Sequence, residues 1–194
     1  MDLQAAVAKW SIVASASGCV PLSSVDGWLP HNAAMDPDAT ALLQRLLLER
    51  PIAALATLHR GEPAISMVPF VLAPSEMQLL IHVSALATHT RDMLDHPRVS
   101  VLVTADTDGA TSPQALPRVS LVAEALPLAP DGQAYLGARE RYLARFPDAA
   151  QTFELADFSI FALRLQSARL IAGFGRAHSL AGESLQAVLR GIPA

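Results

Sequence analysis

The sequence is short of the residues that announce thiol or metal-cluster chemistry. Among 194 residues there is one cysteine, Cys19, which excludes an intrachain disulfide and any cluster held by several thiolates. Charged residues make up 16% and the net charge is −4, with Lys and Arg scattered along the chain. A nucleic-acid partner is not expected, because no basic stripe is present to follow a phosphate backbone. No apolar run reaches the ~18 residues needed to cross a membrane as a helix, so no membrane partner is expected. The G-x-G-x-x-G, Walker, G-x-S-x-G and His-Glu-x-x-His signatures are all missing, and no catalytic residue can be named.

What the chain has in excess is apolar surface, with 52% of residues hydrophobic. Without a membrane helix to bury it, that excess points to a large core or to a subunit interface. Cys19 has two readings. One is a free thiol in a reducing cytoplasm; the other is a lipoprotein signal, Ala16-Ser17-Gly18-Cys19, after a short apolar run. The basic region is a single Lys9 offset by Asp2, and serines interrupt the run, which favours the cytoplasmic reading.

Residues 1–35 show no clear periodicity and carry Pro21, Gly27 and Pro30, so they read as an N-terminal extension. A domain is expected over 36–194, with a terminal helix. Asp36-Pro37 supplies a cap and a first-turn proline, and Leu42, Leu43, Leu46 and Leu47 recur at helical spacing until Pro51. Short apolar runs then predict strands at 52–58, 64–70, 77–83, 98–104, 118–126, 158–165 and 168–174. Helices are expected at 86–95, 133–146 and 179–190. Hairpin-like connections with few crossover helices point to a closed antiparallel barrel of six or seven strands, mainly β with flanking helices.

The densest polar cluster is Ser84-Ala85-Leu86-Ala87-Thr88-His89-Thr90-Arg91, directly after a strand and at the opening of a helix. Free N–H groups, hydroxyls and two basic side chains there suit a phosphate. The plainer alternative is that Ser84 caps the helix and the rest faces solvent. Arg139, Glu140, Arg141 and Arg145 crowd a later helix, and read as a solvated face with Glu140 paired locally. His59 falls in a hairpin turn and is expected to face solvent.

Several stretches resemble the FMN-binding split-barrel family, the pyridoxamine 5'-phosphate oxidase-like group. They are 52–58, Gly61-Glu62-Pro63, Ser66-Met67-Val68-Pro69-Phe70 and His96-Pro97-Arg98-Val99-Ser100-Val101-Leu102. Arg141–Pro147, Asp157-Phe158 and Gly173-Phe174-Gly175-Arg176-Ala177 are similar to its haem-utilisation branch. The resemblance covers roughly residues 40–180. It implies a six-stranded antiparallel Greek-key split barrel that pairs as a homodimer, with Ser66, Met67 and Val68 beside a flavin ring. It also implies that His82, Val83, Ser84, Thr88, His89 and Arg91 hold ribityl and phosphate groups, with Arg118 nearby.

Oxidase members carry an Arg-Lys pair where this chain has Thr88-His89, and they hold their substrate phosphate with a basic residue where Phe146 stands. Oxidation of pyridoxamine phosphate is therefore not expected. Three readings remain: an FMN-dependent oxidoreductase acting on a small-molecule substrate, a haem-binding protein on the same dimeric barrel, and a bare ligand-binding barrel or interaction module without catalysis. For the second, His178 is the candidate iron ligand, because a loop imidazole can reach an iron.

Overall fold

A computed structural model describes residues 35–107 and 109–192. The expected extension and Cys19 lie outside the described residues. Helix α1 (Pro37–Glu49) starts where the sequence predicts: Asp36 accepts the Ala39 N–H at 2.8 Å, with Pro37 in the first turn. Its Ala39, Leu43, Leu46 and Leu47 form one buried face.

Strands β1 (Ile52–His59) and β2 (Glu62–Pro69) form a hairpin with His59 opposite Glu62. The two residues between them, Arg60 and Gly61, both have positive φ, 54° and 86°. That is the pattern of a tight turn whose twist matches its strands. There follow β3 (Val71–Ala73), β4 (Gln78–Ser84), α2 (Thr88–Asp95), β5 (Arg98–Thr104) and β6 (Arg118–Pro127). Next come α3 (Gln133–Arg145), a 3-10 segment (Pro147–Glu154), β7 (Phe158–Gly173), β8 (Arg176–Ala181) and α4 (Gly182–Arg190).

The strands form one antiparallel sheet in the order β2-β1-β5-β6-β7-β4-β3, with β8 also paired to β7. The expected split-barrel architecture is present, with eight strands where the resemblance implies six. The extra strands have local causes. β3 is only three residues long, too short to show a period. β8 takes residues 176–181, so the last helix begins at Gly182 and not at 179.

The expected strands 158–165 and 168–174 are one strand. A register shift against β6 between Val122 and Ala123 leaves Gln166 unpaired there. Phe161, Leu163 and Leu165 point into the core before it, and Ala168 and Leu170 after it. A bulge changes the phase of the side chains without ending the strand.

The main core fills the sheet's inner face under α1 and α4. A second, smaller cluster (Val71, Ala73, Leu80, Ile160, Ala162) lies on the opposite face of β3, β4 and β7, covered by Ala138 and Tyr142 of α3. No helix among the described residues is long and apolar enough to cross a membrane.

Candidate functional site

Alternation along the strands decides where each expected site residue goes. On β2, Ser66 turns inward; Met67 turns outward and is 63% exposed, and Val68 is buried in the core. On β4, Val83 joins the main core, while His82 projects to the other face, under α3. The expected site therefore divides. Ser66, Thr88 and His89 line a groove of about 520 Å³ together with His59, Arg60, Glu62, Ile65 and Asp92. His82 and Val83 do not reach it.

A polar network floors the groove. Asp92 of α2 is buried, and its two carboxylate oxygens accept from Thr57 Oγ1 at 2.9 Å and from His59 Nδ1 at 2.8 Å. His89 Nδ1 is hydrogen-bonded to Ser66 Oγ at 3.1 Å, and its Nε2 is buried without a partner. Burial pushes the His89 imidazole below its ordinary pKa, while the Asp92 charge pulls the other way. Burial raises the Asp92 carboxyl, but the bonds from His59 and Thr57 outweigh it and leave the group below its usual range.

His59, expected to face solvent, is thus tied to the helix, and Asp92 and Thr57 were not singled out from the sequence. The available signal was Asp92 at i+3 from His89, a charged residue on the buried side of an amphipathic helix.

Ser84 does not cap α2, whose N-cap is Ala87 without a side-chain bond; its Oγ accepts the Leu86 N–H at 3.1 Å and donates to Asp157 Oδ2 at 2.5 Å. Thr90 Oγ1 donates to the Ser84 carbonyl at 2.7 Å. Arg91 is exposed. Arg118 is bonded to the carbonyls of Gln114 and Leu116 at 3.3 and 3.0 Å.

The expected phosphate positions are only partly engaged by the protein. The Ser84 and Thr90 hydroxyls donate to protein acceptors and Arg118 Nη1 meets two carbonyls, while Thr88 and Arg91 are exposed. Two carboxylates, Asp157 and Asp92, flank the helix start where a dianion would sit.

On the opposite face, His82 stacks on Phe153 with ring centroids 3.8 Å apart, and Tyr142 and Phe158 close the cage. The Thr152 hydroxyl donates to the Ala149 carbonyl at 2.8 Å, so His82 Nδ1, 3.3 Å away, is the donor to its oxygen. His82 Nε2 has no partner. Burial drives the His82 pKa down to about 4 and that of Tyr142 up to about 12.

The arginine-rich helix is not a purely solvated face. Arg141 pairs with Glu76 at 3.2 Å, Arg139 lies over Phe153, and Arg145 bonds the carbonyls of Leu48 and Arg50 at the end of α1.

His178 lies on β8 with 22% of its side chain exposed. Its Nε2 is 4.0 Å from Asp36 Oδ2, and Arg176 Nη2 approaches the same oxygen at 3.3 Å. The Ala39 N–H, and after it Arg176 and His178, hold the Asp36 carboxyl below its ordinary range against the effect of burial. His178 was expected on a loop; the strand fixes its backbone.

The family model described as pyridoxamine 5'-phosphate oxidase matches residues 39–172. The chain is 30% identical over 125 residues to the chloroplastic heme oxygenase HOZ of Arabidopsis thaliana, covering 64% of this chain and 36% of that protein. It is 27% identical over 139 residues to the heme oxygenase HutZ of Vibrio cholerae, covering 71% of this chain and 78% of the relative. Among solved structures, a heme binding protein from Mycobacterium smegmatis superposes with a TM-score of 0.69 at 30% identity. That match covers 79% of this chain and 62% of the other. The chain thus spans about a third of the plant relative and under two thirds of the mycobacterial one. With the match across most of the described barrel, the chain belongs to the pyridoxamine 5'-phosphate oxidase-like split-barrel family.

Proposed function

We propose that this protein is a haem-binding protein of haem utilisation that works as a homodimer in the cytoplasm, with no resident FMN. The observation that carries the reading is the carboxylate at the strand end where a phosphate would be expected. The Ser84 hydroxyl donates to Asp157, which places negative charge beside the turn into α2. The names of the relatives, two heme oxygenases and a heme binding protein, support the same direction.

For haem the candidate donor is one partly shielded imidazole on a strand, a residue type that serves as an axial iron ligand. His178 is the residue that would hold the iron. Bound haem supplies redox and dioxygen chemistry, while the chain fixes the ring and limits the access of water.

The second copy would cover the outer face of β2, β1 and β5. There Met67, Ala54 and Leu102 stand in one row across the three strands, and Ile65 and Ala56 begin the next. Ile65 is 76% exposed and Met67 63%, an open apolar face on a sheet.

Titration of the purified protein with haemin and, separately, with FMN tests the reading. A Soret shift with haemin that is lost in His178→Ala, and unquenched flavin fluorescence, are the expected results. Micromolar FMN binding without a haemin response would overturn it. Reductant-dependent loss of the Soret band tests for turnover of the ring. Light scattering of Met67→Asp tests the dimer face, with a shift to monomer expected.

A further inference from the structure

His59 and Asp92 form a pair that the haem reading does not use. The Asp92 side chain is 5% exposed and that of His59 44%, so a buried carboxylate backs an imidazole that opens on the groove beside α2. Thr57 already ties Asp92 to β1, and both carboxylate oxygens act as acceptors. The 2.8 Å contact therefore makes His59 Nδ1 the donor. With the proton on Nδ1, the lone pair of a neutral His59 stands on Nε2, and no hydrogen bond among the described residues reaches that atom.

The charges around this imidazole select what can meet it. Arg60 and Glu62 of the hairpin line the groove, and His89 of α2 is its second imidazole. Two carboxylates against one guanidinium disfavour an incoming anion, whereas a neutral ligand meets no such barrier. When a neutral ligand passes a proton to His59, its new negative charge is matched by the imidazolium, and the sum of charges in the groove stays the same. Pro63 and Ala64 add an apolar wall. An aliphatic alcohol is far too weak an acid to give its proton to imidazole, while a phenol with an electron-withdrawing substituent comes close to it in acidity.

We propose that the groove binds a small electron-poor phenol, with His59 as its proton acceptor and Asp92 as the positioning residue behind the imidazole. The phenolic O–H bond breaks, its electron pair stays on oxygen, and the proton forms an N–H bond at His59 Nε2; nothing is oxidised or reduced. Asp92 holds the ring in its accepting tautomer and stabilises the imidazolium that forms. This site stands apart from the haem reading.

The test titrates p-nitrophenol into the full chain without haemin, at a pH below the compound's own pKa, where the free compound is un-ionised. Visible absorbance reports ionisation and equilibrium dialysis reports binding. In the unaltered protein the phenolate band should rise and saturate. His59→Gln keeps a donor for Asp92 and removes the base, so it should abolish the band and weaken binding about tenfold. Asp92→Asn should still bind the phenol but give little of the band. No band in the unaltered protein, a band that survives His59→Gln, or a full band in Asp92→Asn overturns the proposal, and each leaves the haem reading intact. Thermal melts without ligand check the fold of each variant. Because the unaltered protein must itself show the band, a variant that melts early leaves the proposal open to disproof.

Discussion

His82 and His89 lie close together in the chain, on either side of the turn between β4 and α2, and they are bonded alike. Each has Nδ1 on a hydroxyl, Thr152 at 3.3 Å or Ser66 at 3.1 Å, and each has a buried Nε2 without a partner. Their surroundings differ. His82 is enclosed by Phe153, Tyr142 and Phe158, so only desolvation acts on it and its pKa falls to about 4. His89 lies beside Asp92 at an open groove, and the carboxylate offsets part of the same penalty. The hydroxyl partner is common to both, and the nearest charge separates a packing residue from one whose proton can respond to a ligand.

The largest effect should come from opening the aromatic cage. Tyr142→Ala is expected to cost about 4 kcal/mol in urea unfolding, because a buried ring is removed from a packed cluster. The groove should be unaffected, with the His59 and His89 ring resonances unmoved by NMR. A cost below about 1 kcal/mol would mean that the cage is not a packed unit.

A smaller effect is expected with pH. His82 titrates near 6.5 in the unfolded chain and near 4 in the fold, so the unfolded chain takes up the proton first as pH falls. Stability should be highest above pH 6.5, decline between 6.5 and 4, and lose nothing more from this group below that window. His82→Phe should flatten the slope of urea midpoint against pH in that window; an unchanged slope would place the titration elsewhere. The smallest effect is local. Asp92→Asn removes the charge that supports protonation of His89, so the His89 ring should titrate at lower pH by NMR. An upward move would show that Asp92 is not its counterweight.

The local signals of the fold were legible in the sequence. Asp36-Pro37 marked α1, the Arg60-Gly61 turn marked the first hairpin, and short apolar runs marked β5 and β6. β8 was read as loop and helix, although Arg176, His178 and Leu180 do alternate. A short polar alternation carries little signal until β7 supplies its partner.

The site was harder to read because period two gives two faces without saying which meets the ligand. β4 is buried on both faces, so nothing in the run around His82 said that its ring would turn under α3. Long-range partners, Asp157 for Ser84 and Asp36 for Arg176, leave no local trace.

The bulged strand β7 also bears on the order in which the protein can fold. It hydrogen-bonds β4, β6 and β8, and it occupies residues 158–173 of 194. During synthesis, β4 must wait for a partner encoded some eighty residues later. Until then its apolar edge has no neighbour but the three residues of β3. Sheet closure is therefore an event of high contact order, and that edge needs shielding until β7 has emerged.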